Sequence, residues 1–303
     1  RLAFVTGDGV RWPQGDVSVA LRQRAGEAVT GGEFSAQRLD LATLAALAAR
    51  VPLGASLNAL LAELRPEGRA QNVVWRWQGP IDAPTHYQLR GQLADLALAA
   101  RPAVPSSASP QALGRPGLRG AALDLQATAR GGSAPLRLSD GHVDVPGVFH
   151  ESRVPLQRLQ AQLGWRIDPP SDPSRAGAAP QISVQAQDVR FANADVQGEF
   201  NAQWSTGPGA GTGAGARLPG RLALSGLLRD GVASRVARYL PLGIPAAARH
   251  YVQHAVQAGR VESATFKVKG DLWNFPFYSA KEGEFNIAGQ VRDVQLAYVP
   301  STP

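Results

Sequence analysis

His250 and His254, in the stretch "HYVQH", stand four residues apart, the spacing that puts two imidazoles on one helix face and holds zinc in the H-E-x-x-H motif. That motif's glutamate is missing and no third ligand follows in register, so the pair reads as helix surface. His142 and His150 lie beside Asp140, Asp144 and Glu151 in "LSDGHVDVPGVFHES", a set able to move protons. The alternation of "HVDV" accounts for the same residues as the wet side of a strand running into a turn. The chain has no G-x-S-x-G elbow, and the absence of cysteine excludes a thiolate nucleophile, a disulfide and a thiolate metal site. The glycines of "STGPGAGTGAGARLPG" (205–220) give no G-x-G-x-x-G register, and no strand-to-helix context surrounds them. The expectation is a protein that is not an enzyme and uses no cofactor or metal.

What remains is apolar surface carried on strands. In "ADVQGEFNAQW" the residues Val196, Gly198, Phe200, Ala202 and Trp204 share one face, and Gln197, Glu199, Asn201 and Gln203 the other. "LDLQATAR" and "AQLGWRI" divide the same way. In "VVWRWQ" the apolar face holds Val73, Trp75 and Trp77; in "TFKVK" it holds Phe266 and Val268, opposite Lys267 and Lys269; "EFNIAGQV" adds Phe285, Ile287 and Val291. These are antiparallel strands with one wet side. Their apolar faces could close as a sandwich core, or stay open as a trough that holds acyl chains by burial, at about 0.8 kcal/mol per methylene.

Helical periodicity is confined to two places: "LDLATLAALAARV" (39–51) with "LNALLAEL" (57–64), and "GVASRVARYL" (231–240) with "PAAARHYVQHAVQAG" (245–259). Pro245 suits a first helical turn and Gly259 a C-terminal cap. Three stretches rich in Pro, Gly, Ser and Ala, at 101–117, 168–180 and 205–220, lack any apolar period and read as loops.

The two helix pairs belong to one unit that occurs twice. "ARVPLG" (49–54) matches "RYLPLG" (238–243), "GRAQNVVWRWQG" (68–79) matches "GRVESATFKVKG" (259–270), and "GQLADLALA" (91–99) matches "GQVRDVQLA" (289–297), in the same order. A third echo, "QAQDVRFAN" (185–193), shares the Gln-x-x-Asp core of Gln92 with Asp95 and Gln290 with Asp293. The apolar parity flips after each Asp, which predicts a bulge or a strand end there.

Composition agrees with this class. Charged residues make up 18% of the 303, with 33 Gly and 23 Pro, which favours strands joined by turns. The net charge of +7 is carried by arginines scattered singly, with no basic run and no nucleic-acid-binding motif, so no nucleic-acid partner is expected. No window reaches the roughly 18 apolar residues of a membrane span. The chain opens on "RLAFVTGDGV" and closes on "AYVPSTP", which reads as a piece of a longer protein.

The order Tyr-Leu-Pro (239–241), helix, Gly259 to Val261, a strand ending at Gly270, Phe-Pro-Phe (275–277), Gly283 to Phe285 and Leu296 to Tyr298 resembles the central region of the YhdP family. This family belongs to the AsmA-like proteins of Gram-negative bacteria, a group that includes TamB. "LDLATLAALAARVPLG", "PEGRAQNVVWRWQG" and "PGLRGAALDLQATARGG" fit the same order, so the resemblance spans nearly the whole chain. The first repeat has "GPIDAP" (79–84) where the second has "GDLWNFPF", so the aromatic signature occurs once; it reads as a packing anchor at a strand bend rather than a binding site.

The resemblance implies a mainly β fold: a long curved antiparallel sheet of repeated β-groove units with two short helix pairs. Residues 1–100 would form the first repeat, with helix pair 39–64, and residues 101–303 the second, with helix pair 231–259. It implies a periplasmic segment of an inner-membrane-anchored protein, whose membrane contact lies outside this stretch. Its partner would be phospholipid or another acyl-chain lipid, carried between inner and outer membranes along the groove, with the faces at 73–77, 196–204, 266–268 and 285–291 as lining. The alternative is a structural or assembly module that engages envelope protein partners through its β-edges.

Overall fold

The computed structural model describes residues 2–5, 11–23, 29–48, 55–102, 113–170, 179–209 and 213–298. Period-two patterning is realised as strands β1 (Leu2–Val5), β2 (Arg11–Gly15), β3 (Val17–Arg22), β4 (Gly31–Asp40), β5 (Glu67–Gln78), β6 (His86–Leu98), β7 (Gly117–Thr128), β8 (Gly131–Asp144), β9 (Arg153–Asp168), β10 (Gln181–Ala192), β11 (Gln197–Ser205), β12 (Arg221–Val232), β13 (Val256–Asp271) and β14 (Gly283–Leu296). Helices α1 (Leu41–Ala48) and α2 (Ala55–Leu64) lie between β4 and β5, and α3 (Ala246–Ala255) precedes β13. Strands β3 to β14 follow one another in chain order in one antiparallel sheet of 12 strands, and β1 pairs with β2. The expected mainly β class with short helices is what forms. By contacts the chain divides into two compact units, residues 1–99 with 117–141 and residues 100–116 with 142–303.

In the first unit, Ala36, Leu39 and Ala70 are buried, with Val17, Phe34, Leu41, Leu44, Val73 and Leu93 packed against them. Leu41 and Leu44 come from α1, whose start is capped by Asp40: its Oδ1 accepts from the Thr43 backbone N–H at 2.8 Å. In the second unit, Ala233, Val261 and Ala264 form a buried cluster with Leu228 and Val256.

The bulges expected at Asp95, Asp188 and Asp293 are present, and the left-handed backbone found there recurs at two further aspartates. Asp95, Asp140, Asp188, Asp230 and Asp293 have φ of 55°, 51°, 50°, 54° and 53°, one on each of β6, β8, β10, β12 and β14. Aspartate tolerates this left-handed region better than most side chains. The register shifts across Asp95 (Leu93 to Leu96 against β7) and across Asp188 (Ala186 to Val189 against β11). At Asp95, Asp188 and Asp293 the strand consumes one extra residue, so the apolar set stays on one side of the sheet although its parity in sequence changes, whereas β12 keeps its register with β13 across Asp230.

Three local expectations are corrected. Residues 233–239 form a 3-10 helix rather than an α-helix: Pro241 holds Leu240 extended (φ −78°, ψ 125°) and denies the segment a further turn. The second helix stops at Ala255, and β13 begins at Val256, which pairs with Leu296. Gly259 is therefore inside a strand and not a helix cap. Its φ of +123° serves a close approach, because a Cβ there would stand 2.8 Å from Val294 Cα and 3.0 Å from the Asp293 carbonyl oxygen. Of the predicted loops, residues 103–112, 171–178 and 210–212 lie outside the described residues.

Candidate functional site

Cross-strand register in the second unit sorts the apolar residues into rows. One row runs Val189, Phe200, Gly226, Phe266, Ile287 across β10 to β14. The next runs Leu163, Ala186, Ala202, Leu224, Val268, Phe285 across β9 to β14, and a third begins Trp165, Val184, Trp204, Leu222. Every side chain in these rows is apolar. Ring contacts run along them: Phe200 meets Phe191 and Phe266 edge-on, at centroid distances of 6.1 and 6.4 Å. Glycines make room for the rings. A Cβ on Gly198 would stand 2.5 Å from the Phe191 ring, and one on Gly226 would stand 2.5 Å from that of Phe266.

The intervening residues form the opposite, polar side: Asn201, Ser225, Lys267 and Asn286 in one row, Gln203, Ala223, Lys269 and Glu284 in the next. Lys267 Nζ and Glu284 Oε2 pair at 2.8 Å across exposed surface, a contact of small worth. A recess of about 620 Å³ is lined mainly by this polar side, including Arg190, Glu199, Asn201, Lys267 and Asn286. Val189, Phe200, Gly226 and Phe266 of the first row also border that recess.

Each end of the apolar face is finished differently. At one end the Phe-Pro-Phe turn folds back: Phe275 packs on Phe277 and Phe285, at centroid distances of 5.6 and 5.2 Å, and the Phe277 ring takes the space beside Gly270 and Gly283. Asp271, only 8% exposed, secures this end. Its Oδ1 accepts from the Trp273 backbone N–H at 3.0 Å and its Oδ2 from that of Gly215 at 2.6 Å. At the other end the 3-10 helix begins at Ala233, against Leu228, Val261 and Ala264.

A family model described as the YhdP protein matches the chain over residues 1–303. The chain belongs to the YhdP family. Membership places it among the AsmA-like envelope proteins. No curated protein and no solved structure matches it.

The YhdP signature residues turn out to be architectural. Tyr239, of the Tyr-Leu-Pro, donates its hydroxyl to Asp195 Oδ2 at 2.8 Å, accepts from Asn193 Nδ2 at 2.8 Å, and sets its ring edge-on to Phe149. Burial, and next the hydrogen bond to the Asp195 carboxylate, push the Tyr239 phenol up to about 12. Arg238 reaches Asp195 at 3.1 Å and Glu151 at 2.9 Å. Asn193 Oδ1 accepts from the backbone N–H groups of Asp195 and Val196, both at 2.9 Å. Phe275 and Phe277 close an end of the apolar face, as the packing-anchor reading expects.

The sequence-predicted lining residues of this YhdP member divide into three groups. Phe200, Trp204, Phe266, Val268, Phe285 and Ile287 fall on the rows, with Ile287 51% exposed. Val196 and Val291 lie at the end near Ala233: Val291 pairs with Val261, and Val196 is the residue before β11. In the first unit Val73 opposes Ala36, Trp75 opposes Phe34 and Leu89, and Trp77 opposes Gly32 and Tyr87. Trp75 and Trp77 stack at 4.4 Å, yet Trp77 is 1% exposed and its ring sits where a Gly32 Cβ would be. Trp77 is closed to a ligand in this arrangement.

Leu222, Leu224 and Leu228 belong to the same face and were open to detection: "LALSGLL" alternates once Gly226 is counted as apolar. The histidines find bland places. His254 Nδ1 lies 2.8 Å from the His250 carbonyl oxygen, and His142 Nε2 is 3.5 Å from Asp144, which Arg153 also holds at 3.0 Å. Among the described residues no helix is long and apolar enough to cross a membrane.

Proposed function

We propose that this chain is a periplasmic segment of an AsmA-like bridge protein and carries phospholipid acyl chains between inner and outer membranes on the apolar face of β9 to β14. The reading assigns it no chemical step and no cofactor. The observation that carries it is the unbroken apolar row Val189, Phe200, Gly226, Phe266, Ile287, backed by an opposite side that is mostly polar, with Ala223, Leu227 and Ala288 as its apolar members. Membership of an envelope family supports it.

The chemistry suits a cargo that must be held and still move. Burial contributes about 0.8 kcal/mol for each methylene, so a chain of ten methylenes gains about 8 kcal/mol in total. Moving it by one methylene exchanges equivalent contacts. Apart from the indole N–H groups of Trp165 and Trp204, the latter already given to the Pro219 carbonyl at 2.9 Å, the rows carry no hydrogen-bonding side chain that would fix a register.

A photo-crosslinking residue at position 287 tests the proposal in cells. The expected result is a phospholipid adduct that disappears when Phe266→Asp is added, with the protein still folded by circular dichroism. An adduct of undiminished yield in the Phe266→Asp background overturns it.

A further inference from the structure

The helical segment 233–255 covers one end of the apolar face, and the way it is held is lopsided. Only Ala233 and Ala255 within it are buried, and two methyl side chains remove little apolar area from water. Its outer side is open, with Val236 36% and Tyr251 50% exposed. Besides the Ala297 backbone N–H on the Ala255 carbonyl at 2.9 Å and the Tyr251 hydroxyl on the Tyr298 carbonyl at 3.4 Å, just past β14, its ties are polar and run sideways to two turns. Tyr239 and Arg238 converge on Asp195 at 2.8 and 3.1 Å, Arg238 also takes Glu151 at 2.9 Å, and the Leu242 backbone N–H donates to the Val148 carbonyl at 2.8 Å. The Asp195 side chain is only 12% exposed, so removing a partner leaves a poorly hydrated carboxylate.

An element with few buried apolar contacts opens at low free energy, and what holds it is whatever bonds remain. We propose that residues 233–255 are a lid over the end of the apolar face formed by Leu228, Val261 and Ala264, latched shut by Tyr239 and Arg238 on Asp195. Opening lengthens the apolar face by those three residues. Closing ends it. The latching tyrosine has no counterpart in the sequence of the first repeat, since "ARVPLG" has Arg50 where "RYLPLG" has Tyr239. The inference rests on the lipid reading only for what passes under the lid.

The test has two arms. In the first, hydrogen exchange is followed on the whole chain without lipid, in wild type, Tyr239→Phe and Asp195→Asn. The expected result is amide exchange in 246–255 at least tenfold faster in both variants, with β10 to β13 unchanged. Tyr239→Phe keeps the ring against Phe149, so it remains informative where Asp195→Asn fails to fold. Unchanged exchange in 246–255, or equal acceleration in β12 and β13, overturns the latch. In the second arm, loading of fluorescent phosphatidylethanolamine from phosphatidylglycerol vesicles is timed. Loading faster in Tyr239→Phe than in wild type supports the lid, and an unchanged rate with accelerated exchange overturns it. If wild type takes up no lipid, the cargo reading fails, while the exchange arm still judges the latch.

Discussion

The ring of Phe266 occupies the space above Gly226: a Cβ built on the glycine would stand 2.5 Å from Phe266 Cζ and 2.6 Å from Phe200 Cβ. Cross-strand pairing places these residues side by side, Phe200 opposite Gly226 and Gly226 opposite Phe266. The glycine therefore supports the apolar face through the volume it leaves free. Gly226→Val is expected to displace Phe266 and to destabilise by about 1–3 kcal/mol, the usual result of overpacking. Urea unfolding measures this, and adding Phe266→Ala should recover part of the loss. Strict additivity of the two changes would show that the ring and the glycine do not share that space.

Tyr239 makes stability depend on alkaline pH. Its folded value, about 12, lies above the ordinary value of about 10, so the folded state favours the protonated phenol. That contribution is full below pH 10 and drains away as pH rises from 10 to 12. Because the group is half-buried, solvent screening trims the contribution to about 1–2 kcal/mol. The stability advantage of wild type over Tyr239→Phe, measured by urea unfolding at successive pH values, is expected to shrink across this window. A gap that stays constant from pH 9 to 12 contradicts the raised value, to which burial contributes most and the hydrogen bond to Asp195 next.

Asp293 and Gly259 share a bulge, at φ of +53° and +123°. Asp293→Val forces a β-branched residue into the left-handed region and is expected to cost about 1–3 kcal/mol, whereas Asp293→Gly should be close to neutral. Gly259→Ala should be the worst of the three, since its Cβ also meets Val294 Cα at 2.8 Å. Thermal melts rank them, and the order Gly, Val, Ala in falling stability is the expected outcome.

Much of the architecture can be read locally. Alternation along "ADVQGEFNAQW" assigns Phe200 and Trp204 to one side because successive residues of a strand point to opposite faces. The parity flip after Asp95, Asp188 and Asp293 announces a bulge, because an extra residue is what restores the flipped set to its original side. The repeat and the unrepeated Phe-Pro-Phe are visible by alignment alone. Gly259 misleads for a local reason: a glycine after a helical pattern resembles a cap, and only the strand pairing from Val256 onward shows it within the sheet.

Rows, ends and ties are different in kind, because they depend on which strand lies opposite which and in what register. Phe266 and Ile287 join the row of Phe200 through turns and bulges summed along the sheet, and Leu224 comes between Ala202 and Val268 in the same way. Trp75 and Trp77 are indistinguishable by alternation, yet Gly32 opposite Trp77 makes the pocket that buries it. Asp195 meets Tyr239 across 44 residues of sequence. The sequence by itself determined which residues are apolar, which side of each strand they take and where the strands bend. The tertiary structure decided which of them touch, since register is set by cross-strand hydrogen bonds between residues far apart in the chain.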